Sequence, residues 1–298
     1  MFINEFIAYL SLEKKYSNHT TKAYKADILS FSAFSQIEYE DQDVSRSNYA
    51  QIRSWIVSLV DEGVSNRTIN RKVSSLKTYY KFLVKTECIK KNPLAKHQAL
   101  KVSKKIQVPF SEGEVDSVLE SLKEDKDFIS VRNRLIVELF YATGMRRIEL
   151  VNLKLVDLDI SNAQVKVLGK RNKERYIPLI PSVMDTLKLY LGKRKEIVSQ
   201  VDVSYLLLTK KGVKIYEMLV YRVINRYFSE ASSKVKKSPH ILRHSFASHM
   251  LAEGASLNAL KELLGHSSLA ATQVYTHQNV AQLTKVYKQS HPRNKSKE

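Results

Sequence analysis

Six side chains spread along this sequence have the types needed to work on a phosphate ester: Arg146, Lys170, His240, Arg243, His266 and Tyr275. A guanidinium offers a fork of donors that matches phosphate oxygens and stays charged at any working pH. An imidazole moves protons near neutrality. A lysine can supply a proton, and a tyrosine oxygen can attack phosphorus. Taken singly, each has an ordinary alternative. Arg146 can pair with Glu149 three residues on, His240 can cap or pack, Lys170 can face solvent, and Tyr275 can be a packing aromatic.

Their settings narrow the choice. Arg146 lies just after Gly144 in Ala142-Thr143-Gly144-Met145-Arg146-Arg147-Ile148-Glu149-Leu150. The glycine permits a sharp turn, so the arginine is presented from the start of a new helix. Arg147 competes with it, but register against Gly144 and Glu149 favours Arg146. Ser238-Pro239-His240-Ile241-Leu242-Arg243-His244 announces a helix start, with Ser238 as N-cap and Pro239 at the first helical position. His240 and Arg243 share one face near that start, where exposed N–H groups favour an anion. Leu263-Leu264-Gly265-His266-Ser267-Ser268 reads as a helix stop, with Gly265 in a left-handed position. Tyr275 follows His266 by nine residues, in Thr272-Gln273-Val274-Tyr275-Thr276-His277.

The elements that must hold these groups are mostly helical. Apolar residues recur at helical spacing from Phe2 to Leu10, from Tyr24 to Phe34, from Ile52 to Leu59 and from Ile69 to Leu83. Ser17, Ser45 or Ser47, and Ser65 read as caps before the second, third and fourth of these helices. The fourth carries Arg67, Arg71, Lys72 and Lys77 on its polar face, a surface expected to touch phosphates, with plain solvation as the alternative. Asn92-Pro93 closes this bundle. A polar, Lys-rich stretch with Lys104 and Lys105 then reads as an extended linker, and Ser111 with Glu114 forms a capping box. Residues 131–140 predict a helix ending near Gly144. Residues 164–168 and 175–179 predict two strands around a basic tip, Gly169-Lys170-Arg171-Asn172-Lys173, and Tyr205–Leu208 a third. Helices return from Tyr216. The fold class is thus mainly α with a small antiparallel β-sheet. The division is 1–98 for a helical N-terminal domain with a basic face, 99–108 for the basic linker, 109–288 for a mixed α/β domain that carries the six groups, and 289–298 for a polar, mobile tail.

Bulk composition agrees with a polyanionic partner. The 298 residues carry a formal charge of +19, with a pI near 9.7, and such an excess of Lys and Arg suits nucleic acid. The 43% hydrophobic content is enough to bury real cores. No apolar stretch is long enough to span a bilayer, and the N-terminus turns polar too early for a signal peptide. The single cysteine, Cys88, excludes an intrachain disulfide framework and a zinc cluster. These features predict a soluble intracellular protein, in a nucleoid-containing cytoplasm or a nucleus, with nucleic acid as its simplest partner.

In order, Arg146, Lys170, His240 with Arg243, His266 and Tyr275 resemble the tyrosine recombinase/integrase family. The 24-residue step from Arg146 to Lys170 and the nine-residue step from His266 to Tyr275 are similar to its compact bacterial Xer-type members, and the likeness covers nearly the whole chain. Ile148 departs from the small residue that many relatives have there, and is expected to pack.

The resemblance implies DNA cleavage and rejoining through a 3′-phosphotyrosine on Tyr275, with no metal, ATP or other cofactor. Arg146 and Arg243 would grip the phosphate, His240 would take the phenolic proton, Lys170 would protonate the leaving 5′-oxygen, His266 would hydrogen-bond the phosphate or orient the other groups, and Glu149 would position Arg146. DNA contacts are expected from Arg67, Arg71, Lys72, Lys77, Lys104, Lys105, Arg171 and Lys173. The resemblance further implies two domains closing on double-stranded DNA at a specific recombination site and a Holliday junction. It implies a tetramer with itself or a paralogous recombinase, and a DNA translocase as activator. Val280, Leu283, Val286 and Tyr287 are candidates for docking into a neighbouring protomer, with a helix packed on its own domain as the alternative. The absence of an extra N-terminal arm-binding domain favours chromosome dimer resolution, beside the bacterial nucleoid, over a mobile-element integrase. A non-catalytic DNA-binding relative and a type IB topoisomerase are the remaining alternatives.

Overall fold

The structure is a computed structural model that describes residues 2–41, 43–103, 107–123, 127–169, 173–197, 204–234, 237–265, 286–287 and 289–294. The chain divides into two compact units, Met1–Lys105 and Ile106–Glu298.

Unit 1 is built from α1 (Ile3–Ala8), continued by a π-helical turn at Tyr9–Glu13, then α2 (Asn18–Tyr39), α3 (Tyr49–Asp61) and α4 (Asn66–Lys85). Side-chain caps set the starts. Ser17 accepts from the Thr20 N–H and Ser65 from that of Thr68, while Asn48 and Gln51 cap each other reciprocally. The cap of α3 is therefore Asn48, not the expected Ser45 or Ser47, because a 3-10 turn occupies Val44–Arg46. Phe6, Phe31, Trp55, Leu76, Tyr79 and Tyr80 fill the core, and the Tyr80 hydroxyl donates to the Val44 carbonyl at 2.8 Å. The linker expected to run extended over residues 99–108 is tied to α4 at its start. Asn70 bonds both the carbonyl and the N–H of Leu100, and Asn66 donates to the Lys101 carbonyl.

Unit 2 contains α5 (Glu112–Ser121), α6 (Phe128–Thr143), α7 (Arg147–Val151), β1 (Leu158–Asp159), β2 (Gln164–Leu168), β3 (Glu174–Pro178), α8 (Pro181–Ile197), α9 (Glu217–Ala231), α10 (Pro239–Ala252) and α11 (Leu257–Leu264). Helix α6 is buried on nearly every side and forms the centre of this unit. The three strands pair antiparallel in the order β1-β2-β3, with Val167 opposite Arg175 and Val165 opposite Ile177. The third strand is thus Leu158–Asp159 and not Tyr205–Leu208. The latter segment makes only isolated bridges, and its carbonyls are taken instead by buried side chains: Arg194 and Tyr190 donate to Leu206, and Arg132 donates to Leu208. That apolar run packs into the core as a loop whose backbone also pairs with Leu153 and Ile215 and, at the adjoining Ser204, with Leu155.

The described part of the C-terminus departs from a polar, mobile tail, and its apolar residues pack on their own domain. Ser290 and His291 are buried rather than part of a polar, mobile tail, and Tyr287 is fully buried in its own unit. The Tyr287 hydroxyl donates to the Ala142 carbonyl at 2.9 Å. His291 packs against the rings of Tyr287, Tyr141 and Phe246, and Arg293 lies 3.7 Å from Asp116. Val286 is also packed on this core, so Val286 and Tyr287 fill their own domain and are not left to dock elsewhere. Val280 and Leu283 lie outside the described residues.

Burial pushes His291 down from the ordinary 6.5 to about 4. Between those values the unfolded chain binds a proton that the folded chain does not, so stability falls as pH drops through this window. Urea unfolding from pH 6.5 to 4 should show a loss of up to roughly 3 kcal/mol attributable to this residue. That component should vanish in His291→Gln. Equal pH dependence in both proteins would show that His291 titrates freely.

Candidate functional site

Arg146 is the N-cap of α7, and Glu149 is the third helical residue after it. The Glu149 carboxylate reaches back and accepts the Arg146 N–H at 2.8 Å, the acidic half of a capping box. The same carboxylate accepts from the Arg146 guanidinium at 2.8 Å and from both terminal nitrogens of Arg175 at 3.2 and 2.7 Å. Each of its oxygens therefore accepts two hydrogen bonds, which uses its full capacity. Burial raises the carboxyl, but the hydrogen bonds and charge of Arg175, joined by those of Arg146, outweigh it and hold Glu149 below the usual carboxylate range.

Three guanidiniums converge on the end of α11. Arg175 Nε donates to the Leu263 carbonyl at 2.8 Å, Arg243 Nη2 to Leu264 at 2.8 Å, and Arg146 Nη2 to Gly265 at 3.1 Å. These are the orphan carbonyls of a helix C-terminus, where the dipole also favours cations. Gly265 ends the helix at φ +63°, as expected, and a Cβ there would stand 3.1 Å from Arg175.

Arg243 also donates to the Gly144 carbonyl, in the turn that delivers Arg146. That turn requires glycine twice over: φ is +56°, and a Cβ would lie 2.3 Å from Phe246 and 2.8 Å from Leu264. Burial, with Arg146 and Arg175 nearby, lowers Arg243 to about 10, so it remains charged at neutral pH. Arg146 is the more accessible of the two, with 28% of its side chain exposed.

The structure thus brings Arg146, Arg243 and Glu149 together, and the Arg146–Glu149 ion pair is part of the site rather than an alternative to it. Arg147 turns away to pair with Glu217. His240 is exposed, one turn before Arg243 on α10. Ser238 is the N-cap residue as expected but gives no side-chain cap. Ile148, expected to pack, is 46% exposed, because position 149 holds the inward face of α7. Lys170, His266 and Tyr275 lie outside the described residues, as do Lys104, Lys105 and Arg171. The flanking Gly169 and Gly265 both adjoin the arginine cluster: a Cβ on Gly169 would lie 3.5 Å from Arg175.

Among the expected DNA contacts, Arg67 and Lys173 are exposed and Lys77 is half-buried. Arg71 and Lys72 have an internal role as well. Both terminal nitrogens of Arg71 donate to the buried carboxylate of Asp27, while Lys72 lies 3.9 Å from it and over the Trp55 ring.

Sequence reading missed Arg175. Its signal was strand alternation: on β3 it shares the buried face with Ile177, and an inward-facing cation demands a carboxylate partner.

The phage integrase family profile matches residues 109–282, and the N-terminal SAM-like domain of phage integrases matches residues 3–87. The chain belongs to the phage integrase family. It is 35% identical to the tyrosine recombinase XerC of Thermodesulfovibrio yellowstonii, over all of this chain and 98% of the relative. It is 38% identical to the tyrosine recombinase XerC of Staphylococcus carnosus, over 97% of each. In fold it is similar to the XerH site-specific recombinase bound to difH substrate, at a TM-score of 0.68 and 23% identity, covering 90% of this chain and 79% of that one. The integrase of transposon Tn1549, in complex with transposon right end DNA, gives a TM-score of 0.72 at 20% identity, covering 96% and 99%.

Neutralising Glu149 would leave the buried Arg175 without its counter-charge. Glu149→Gln should therefore cost about 3–5 kcal/mol in denaturant unfolding. A cost below about 1 kcal/mol, the range of an exposed ion pair, would show that the pair is not a buried constraint.

Proposed function

We propose that this chain is a site-specific DNA recombinase in which Tyr275 is the nucleophile and Arg146 and Arg243 hold the scissile phosphate. The observation that supports this reading is the convergence of the Arg146 and Arg243 guanidiniums on the carbonyls of Gly265 and Leu264. These residues immediately precede His266 and the segment that leads to Tyr275.

In the proposed step the Tyr275 oxygen forms a bond to phosphorus and the bond to the 5′-oxygen breaks. His240 takes the phenolic proton, and Lys170 gives a proton to the leaving oxygen. Charge gathers on the non-bridging oxygens in the transition state, where two fixed guanidiniums stabilise it without reorganising. His266 adds a hydrogen bond to the same oxygens. The phosphotyrosine keeps the energy of the phosphodiester, so a 5′-hydroxyl can reverse the step on another strand without ATP. Two such exchanges pass through a Holliday junction.

The proposed partner is double-stranded DNA carrying a recombination site, contacted by both units. Arg67, Lys77 and Lys173 are surface contacts in this reading, joined by Lys104, Lys105 and Arg171. Arg71 and Lys72 combine such a role with holding Asp27. Four protomers, identical or shared with a paralogue, would complete the synapse, with a DNA translocase as activator. Full-length relatives named XerC favour chromosome dimer resolution in the bacterial cytoplasm over mobile-element integration.

A nicked suicide substrate that traps the covalent complex tests the chemistry. With a chelator present, the wild-type chain should form a protein–DNA adduct and Tyr275→Phe should form none. An adduct that persists in the variant, or cleavage that appears only with added magnesium, would contradict the proposal.

A further inference from the structure

We infer that Arg175 is a positioning residue for strand cleavage, acting on the phosphate through Glu149 and Arg146. The inference rests on the functional reading above and extends it to a residue outside the six chemical groups. Arg175 is 4% exposed, so it does not present its charge to solvent or to a ligand. Its donors run instead in two directions. Two go to the Glu149 carboxylate, at 3.2 and 2.7 Å, and one goes to the Leu263 carbonyl, at 2.8 Å. Glu149 carries Arg146 by both its backbone N–H and its guanidinium. Leu263 lies two residues before Gly265, whose carbonyl takes the other end of Arg146. Arg146 is thus held at two points, and Arg175 braces both.

A charge that stabilises a transition state does so only where it is fixed before the reaction. Without Arg175, Glu149 retains its bonds to Arg146 but loses two of its four donors, and the end of α11 loses one of its three arginines. Arg146 is then free to follow a carboxylate that is no longer anchored to β3. Lysine cannot substitute. Its ammonium is a single point charge and cannot span two carboxylate oxygens and a carbonyl on another element.

The variants are Arg175→Lys and Arg175→Gln, each assayed on two nicked substrates. One has the natural scissile phosphate. In the other a methyl group replaces a non-bridging oxygen, giving a neutral methylphosphonate that no longer needs a well-placed cation. Each preparation is scored on both substrates, so any loss of folded protein cancels in the ratio. Adduct formation relative to wild type should fall about tenfold or more on the phosphate. On the methylphosphonate it should stay within about threefold of wild type. An equal loss on both substrates would assign Arg175 to general stability, and no loss on the phosphate would remove it from the reaction altogether. Either result overturns the inference. If the wild type forms no adduct on either substrate, the functional reading itself fails and takes the inference with it.

Discussion

The structure of the catalytic unit depends on one buried carboxylate shared between two arginines. Glu149 caps α7, fixes the guanidinium of Arg146 and neutralises Arg175, using both lone-pair sites of each oxygen. A carboxylate is costly to bury, and so is a guanidinium. Together, with every polar position satisfied, they lock three sequence-distant segments into one geometry. The α6–α7 turn, strand β3 and the end of α11 meet there, joined by the hydrogen bonds of Arg146, Arg175 and Glu149.

The rest of the unit follows from that meeting. Helix α6 has to end at Gly144, since only glycine tolerates both its backbone angle and the approach of Phe246. Helix α11 has to end beside the arginines, which replace the carbonyl partners that its last turn lacks. Arg243 then closes the cluster from α10, bonding the turn before Arg146 and the helix end at Leu264. The cluster gathers positive charge around a single carboxylate, an arrangement suited to an incoming phosphate. Burial of Arg175 and Arg243 and the hydrogen bonds on Arg146 limit how far each cation can move, so the field is set before any substrate arrives.

Much of this was legible in the sequence. Gly144, Arg146 and Glu149 read correctly as a turn and a helix start because backbone chirality and capping are local. Gly265 is legible as a helix stop for the same reason. Failures came where tertiary partners overrode local pattern. Tyr205–Leu208 has strand-like composition, but Arg194, Tyr190 and Arg132 take its carbonyls. His291 and Tyr287 look like a polar tail and a docking segment until the pocket beside Tyr141 and Phe246 is known. Arg175 is not legible from its neighbours, because the basic residues of the hairpin cluster at its tip while the inward face of β3 holds the charge that the site is built around.

In the proposed reading this geometry serves one bond, between the Tyr275 oxygen and phosphorus, and its direct measurement is the identity of the DNA-linked residue. The covalent complex trapped on a nicked substrate can be digested with nuclease and trypsin and the modified peptide sequenced by mass spectrometry. The account predicts a nucleotide attached through its 3′-phosphate to Tyr275, the only tyrosine between Glu262 and Lys285. A nucleotide on any other residue, or attachment through a 5′-phosphate, would contradict it.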